Sequence, residues 1–241
     1  MKISILTPTR NRAENLSRMV RSAVNTSSGS NDIQFLNYID DDDPSIDFYK
    51  SEQNKLQFDD CVKFFNIISE HQSVSKSWNV LASEALARDC DILMMGNDDQ
   101  VFKTQDWDLI LIDEIKNFDH SLYCMWFDDK INAKNHCAFP IVPKEWFEIL
   151  GYFTPGIFHF GYNDTWIFDV AKRAGITRFI PTVIVEHMHF TVNKSEFDET
   201  YSFNRNQLRG NLYDKDKIIY DETVNQRITD SEKLRRMLSK V

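Results

Sequence analysis

Three short runs in the first hundred residues are almost wholly apolar, and each breaks off into a polar cluster. Lys2–Leu6 runs into Thr7-Pro8-Thr9-Arg10, Ile33–Ile39 into Asp40-Asp41-Asp42-Asp43-Pro44, and Asp91–Met95 into Gly96-Asn97-Asp98-Asp99. A fourth apolar run, Val62–Ile68, lies between the last two. A strand that is apolar on both faces must be covered on both faces, as in parallel sheets flanked by helices. The intervening segments supply the helices. Leu16, Met19, Val20, Ala23 and Val24 fall at i, i+3, i+4, i+7 and i+8, an amphipathic stripe. Trp78, Leu81, Ala82 and Ala85 form a second stripe. The order βαβ-βαβ predicts an α/β fold with a mostly parallel central sheet flanked by helices. Pro8 lacks a ladder donor and is expected to end the first strand.

The second half is less regular. Trp107–Ile115 reads as a helix, and Leu122–Phe127 and Cys137–Ile141 as strands. Pro143–Leu150 reads as a helix closed by Gly151, and Asp164–Ala174 as a helix with Asp164 at its N-cap and Gly175 at its end. Phe179–Val185 reads as a strand running into Glu186-His187-Met188-His189. The remaining tail looks helical and charged. With 241 residues, the chain suits one domain with a small C-terminal extension. Its 18 Phe and 5 Trp exclude a disordered chain. Trp78 and Trp166 belong to core stripes, while Trp126 and Trp146 are candidates to stack on a ligand ring.

The net charge of −9 disfavours a polyanion-binding surface, since phosphate contacts need clustered Lys and Arg. The charge is uneven, since the tail from Phe203 onward carries nine Lys/Arg against six Asp/Glu. Cys61, Cys90, Cys124 and Cys137 form no CxxC pair and no zinc spacing, so they are expected to be reduced thiols in a cytoplasmic protein. The N-terminal apolar run is too short for a signal peptide, and no apolar stretch is long enough to span a membrane.

In an open parallel sheet, ligands bind outside the carboxyl ends of the strands. The clusters at Thr7–Arg10, Asp40–Asp43 and Asn97–Asp99 therefore share one rim. No glycine-rich phosphate loop is present, neither GxGxxG nor GxxxxGK[ST]. A phosphate ligand on this rim would need a cation, and Mg²⁺ or Mn²⁺ takes one or two protein carboxylates beside phosphate oxygens. Asp99, after a buried strand, suits that task.

Ile3-Ser4-Ile5-Leu6-Thr7-Pro8-Thr9-Arg10-Asn11-Arg12 resembles the opening of family 2 glycosyltransferases of the GT-A fold. Ile39–Asp43 resembles their second-strand acidic cluster, and Lys76 and Asn79 their basic-and-Asn helix start. Asn97-Asp98-Asp99 matches the DXD position. Gly161-Tyr162-Asn163-Asp164 resembles the acidic segment that opens the acceptor-side helix, and His187 or His189 a C-terminal metal-binding His. The resemblance covers roughly residues 2 to 195, and the chain is also similar to glycosyltransferases of large tailed phages. It departs from the pattern at Asn97, at Asp42-Asp43-Pro44 in place of Gly-Ser, and at Asn163.

The resemblance implies a GT-A-like domain over 1–195, with a nucleotide-sugar half (1–100), an acceptor half (101–195) and a helical extension (196–241). It implies a metal-dependent, inverting transfer of a hexosyl or pentosyl group from a nucleoside-diphosphate sugar, UDP first by family habit, to an unknown acceptor hydroxyl. Asp99 with His187 would hold Mn²⁺ or Mg²⁺ against the diphosphate. Thr7, Pro8, Thr9, Arg10, Asp40, Asp41, Asn97 and Asp98 would line the nucleotide pocket, and Lys76 and Asn79 would lie near the diphosphate. Asp164 would be the catalytic base. His187 and His189 are expected to face opposite ways, so that one alone reaches the metal. Three alternatives stay open: transfer to hydroxymethylated bases of phage DNA, an inactive nucleotide-sugar-binding module, and a nucleotidyltransferase.

Overall fold

The first strand, β1 (Lys2–Thr9), shows how side-chain alternation builds the two faces of the sheet. Ile3 and Ile5 enter one hydrophobic cluster and Leu6 the other. The strand β4 (Ile92–Met95) divides in the same way, Ile92 and Met94 against Leu93 and Met95. Helix α1 (Ala13–Thr26) covers the first face with Leu16, Met19, Val20 and Ala23. On the second face, α3 (Val74–Ala87) packs Trp78, Leu81, Ala82 and Ala85. Each fully buried Leu, Ile or Met contributes about 1.5–3 kcal/mol. The structure, a computed structural model, describes residues 1–55, 62–198, 201–202 and 211–238. Cys61 and residues 203–210 and 239–241 of the basic tail fall outside them.

The remaining strands are β2 (Asp32–Asp40), β3 (Val62–Ser69), β5 (Gln100–Phe102), β6 (Cys124–Asp128), β7 (Ile141–Pro143) and β8 (Thr177–His187). The sheet order is β3-β2-β1-β4-β7-β6-β8-β5. The mixed α/β class is as expected, but the sheet is less parallel than the βαβ order predicts. Pairing is parallel through β3-β2-β1-β4 and between β6 and β8. It is antiparallel at β4–β7, β6–β7 and β5–β8. The strand expected at Cys137–Ile141 starts only at Ile141. Before it, the Asp129 carboxylate captures the backbone N–H groups of Ile131, Asn132 and Ala133, and the chain turns instead of pairing.

Pro8 does not end β1, which pairs with β2 through Thr9. The carbonyl of Leu6 accepts from the backbone N–H of Gly96, on the side where β4 lies. Two residues on, Pro8 points its donorless nitrogen to that same side, where β4 has already ended. The missing hydrogen bond thus costs the ladder nothing.

The other helices are α2 (Ile46–Lys55), α4 (Trp107–Lys116), α5 (Lys144–Leu150), α6 (Asn163–Ala174), α7 (Leu212–Glu222) and α8 (Val224–Leu238). Gly151 and Gly175 close α5 and α6 with φ of 83° and 80°, the left-handed cap that favours glycine. Asp164 is not the N-cap of α6. Tyr162 occupies that position, and Asp164 lies inside the first turn. The C-terminal helices pack onto the body. Arg227 of α8 is buried, pairs with Asp169 at 2.7 Å and lies 3.7 Å over the Tyr220 ring. Among the described residues, no helix is long and apolar enough to cross a membrane.

Candidate active site

A cleft of about 930 Å³ opens at the carboxyl end of the parallel strands, where the three polar clusters meet. Gly96 lets two of them touch. A Cβ there would stand 2.4 Å from Thr7 Oγ1 and 2.8 Å from Ile5 Cγ2. The end of β4 therefore lies hard against β1. The close fit also consumes Thr7, which is fully buried under Gly96 and does not line the cleft. Thr9, two residues on and on the same face, reaches the cleft and donates to Asp98 Oδ2 at 2.8 Å.

Asp98 and Asp99 are both buried, at 5% and 4% exposure, and both line the cleft. Asp98 Oδ1 also meets Arg12 Nη1 at 3.2 Å. Burial raises the Asp98 pKa despite the Arg12 charge, and the Asp99 charge adds to the rise. Asp99 goes the other way. Burial opposes its charge, but the hydrogen bond and charge of His187, the Arg12 charge and the Tyr201 hydroxyl together hold its pKa below the usual carboxylate range. Tyr201 donates to Asp99 Oδ2 at 3.1 Å, and His187 Nε2 lies 3.3 Å from the same oxygen. Asp99 Oδ1 is buried and has no hydrogen-bond partner among the described residues.

The antiparallel pairing of β5 with β8 puts His187 there. Gln100 stands opposite His187, and the N–H of Met188 donates to the Asp99 carbonyl at 2.8 Å. His189 is not turned away. The strand ends at His187, so strict alternation no longer applies, and the two rings lie 4.9 Å apart with both residues lining the cleft.

At the end of β2, Asp40 Oδ2 meets Arg10 Nη1 at 3.0 Å and His71 Nδ1 at 2.8 Å. Arg10 also holds Asp42 through Nη1 and Nη2. Pro8, Arg10, Asp40 and Asn97 line the cleft, whereas Asp41 is exposed and does not. Asp43 fastens the loop before α2, accepting from the N–H groups of Asn11 and Ser45.

Lys76 and Asn79 also miss the cleft, because α3 turns Val74, Ser77 and Trp78 toward it instead. Asn79 clamps a loop, its Oδ1 accepting from the N–H groups of Phe153 and Thr154 and its Nδ2 donating to the Thr154 carbonyl. Trp126 and Trp146 are buried core residues, which removes them as sugar platforms.

Asp164 does face the cleft, with its Oδ2 2.8 Å from His136 Nε2. Sequence reasoning missed His136, Arg12's contacts and Tyr201. Arg12 was legible only as part of the opening motif. In the structure it pairs with Asp98 and, through Nε and Nη2, with Asp198 at 2.7 and 2.8 Å, while its guanidinium lies 4.5 Å over the Tyr201 ring. His136 and Tyr201 sit outside any periodic pattern and carry no local signal. Among the described residues, no group of three or more His, Cys, Asp or Glu side chains is gathered as a preformed metal site.

No protein-family model matches the chain, and no curated protein is similar to it in sequence. Solved structures are similar in fold. S. aureus TarS 1-349 in complex with UDP superposes with a TM-score of 0.58 at 12% identity, over 77% of this chain and 59% of that one. The mannosyltransferase PcManGT from Pyrobaculum calidifontis, in complex with GDP-Man and Mn²⁺, superposes with a TM-score of 0.58 at 13% identity, over 78% and 57%. The chain thus spans somewhat more than half the length of either. At this identity the likeness shows the fold alone, the GT-A fold that these two structures share.

Proposed function

We propose that the protein is a metal-dependent glycosyltransferase that moves a sugar from a nucleoside diphosphate to an acceptor hydroxyl. One observation carries the reading. Asp99 lines the cleft at the carboxyl end of the parallel strands, with one buried carboxylate oxygen, Oδ1, that has no hydrogen-bond partner among the described residues and with His187 beside the other, Oδ2. The ligands of the similar structures, UDP in one and GDP-Man with Mn²⁺ in the other, support it.

Two protein ligands suit Mn²⁺ or Mg²⁺, because such a cation takes its remaining oxygens from phosphate and water. Asp99 Oδ1 is the oxygen with no hydrogen-bond partner among the described residues, and Tyr201 fixes the carboxylate through Oδ2. When bound, the cation would stabilise negative charge on the leaving diphosphate as a Lewis acid. Asp98, held by Thr9 and Arg12, keeps the turn in place. Arg10 and Asp40 would read the nucleoside, with Asn97 and Pro8 as walls. Asp164 would take the proton of the acceptor hydroxyl as its oxygen attacks the anomeric carbon, in a single displacement that inverts configuration.

The test is a panel of nucleotide sugars, UDP-sugars first, scored for released nucleotide with Mn²⁺. Wild type should turn over at least one donor, and Asp99→Ala should lose that turnover. Equal turnover by Asp99→Ala refutes the metal role. No turnover of any donor with any hydroxyl acceptor refutes the function.

A further inference from the structure

We propose that His136 is the positioning residue of Asp164, and that the two work as one unit whose charge state sets the rate. The inference rests on Asp164 being the base.

The segment between β6 and β7 brings His136 to α6. Asp129 ties three backbone N–H groups, Trp126 Nε1 donates to the Ala133 carbonyl at 2.9 Å, and a 3₁₀ turn spans Ala133–Asn135. Cys137, next in the chain, is fully buried and anchors the other side. The imidazole packs edge-on against Phe168, with ring centroids 5.7 Å apart at 83°. Phe168 lies one helical turn beyond Asp164 and so on the same side of α6. Two contacts thus fix the ring, one apolar and one 2.8 Å polar contact to Asp164 Oδ2.

Stability alone does not account for this placement. The N-terminus of a helix favours an anion, and a cation beside it works against the macrodipole. Asp164 alone would serve α6 better. The pair also lines the cleft, with each side chain 29% exposed. The other carboxylate oxygen, Oδ1, has only a long contact of 3.3 Å from the neighbouring Thr165 hydroxyl. Oδ1 is therefore the oxygen left to meet an acceptor.

The chemistry follows from which proton His136 holds. A neutral imidazole donating through Nε2 orients Asp164 and leaves it a full carboxylate base. An imidazolium pairs with it and weakens it. The charged groups acting on His136 are Asp164 from α6 and Asp129 from the turn after β6, and both favour the imidazolium. The rate should therefore climb as His136 loses its proton. In the step itself, the hydroxyl proton passes to Asp164 Oδ1. The hydroxyl oxygen's electron pair forms the bond to the anomeric carbon, and the bond to the diphosphate breaks with its electrons leaving on the diphosphate.

The test compares kcat, donor KM, the pH profile of kcat and UDP affinity by calorimetry for wild type, His136→Gln, His136→Phe and Asp164→Asn, each checked for folding by its thermal melt. His136→Gln retains an N–H donor and should keep most of the rate while losing the rising limb near neutral pH. His136→Phe keeps the ring against Phe168 and should lower kcat about 10–100-fold, the range for losing a supporting hydrogen bond, with donor KM and UDP affinity within about twofold. A rising limb that survives in His136→Gln overturns the proposal, as does wild-type kcat in His136→Phe or a parallel loss of UDP affinity. Full activity in Asp164→Asn overturns the base assignment and this inference with it. Loss of activity in Asp164→Asn with no effect at His136 overturns the inference alone. A wild type that turns over no donor overturns both this inference and the function.

Discussion

Gly96→Ala tests the tightest approach made at any of the described glycines. The added Cβ would meet Thr7 Oγ1 at 2.4 Å, Ile5 Cγ2 at 2.8 Å and the Leu6 carbonyl oxygen at 3.0 Å. Gly96 has no positive φ, so the cost is steric. Ile5 and Leu6 are fully buried in β1, between two packed faces, and cannot retreat cheaply. Overpacking of this kind costs about 1–3 kcal/mol, and two contacts under 3.0 Å place it near the upper end. For a chain of this size that lowers Tm by about 5–10 °C. Thr7→Ala should cost no more than about 1 kcal/mol, because the lost burial of its methyl group is offset by deleting a buried hydroxyl that has no hydrogen-bond partner among the described residues. Placed together, the two substitutions should be less than additive, since the nearest clashing atom is gone. Thermal melts and urea titrations of the two single variants and the double variant complete the cycle. A Gly96→Ala protein melting within about 1 °C of wild type would refute the reasoning, as would strict additivity.

Other predictions address the site and its charges. Arg12→Ala leaves buried Asp98 without its cation and removes the partner of Asp198, so it should destabilise by about 3–5 kcal/mol in urea unfolding. Tyr201→Phe removes one hydrogen bond from Asp99, so it should cost about 1 kcal/mol and weaken Mn²⁺-dependent UDP binding by calorimetry. His136 has its pKa raised, since the hydrogen bond and charge of Asp164 outweigh the opposing effect of burial. Its contribution to stability is therefore complete below the unfolded His value of about 6.5 and is lost as pH rises through the folded value. Urea stability measured across neutral pH should fall accordingly in wild type, and the fall should be shallower in His136→Gln.

Much of the first half was legible from local pattern. The apolar runs of β1, β2 and β4, the stripes of α1 and α3, and the polar clusters at the strand ends are periodic features. Periodicity reports burial directly. That the clusters share a rim follows from parallel connectivity, which the βαβ order carries. The direction of individual side chains was another matter. Thr7 and Thr9 lie on the same face of β1, yet Gly96 buries one and leaves the other in the cleft. Lys76 and Asn79 sit on a helix whose stripe was read correctly, but the loop at Phe153–Thr154 claims Asn79.

The amino-acid sequence by itself determined the α/β class, the rim and the carboxylates of the Asn97-Asp98-Asp99 turn, because these depend on residues close together in the chain. Only the tertiary structure decided what stands opposite them. The three residues of β5 are too few to show a period, yet their antiparallel register with β8 is what sets His187 against Asp99. Tyr201 meets Asp99 across 102 positions and His136 meets Asp164 across 28. Contacts of that span are chosen by packing, and no local spacing encodes them.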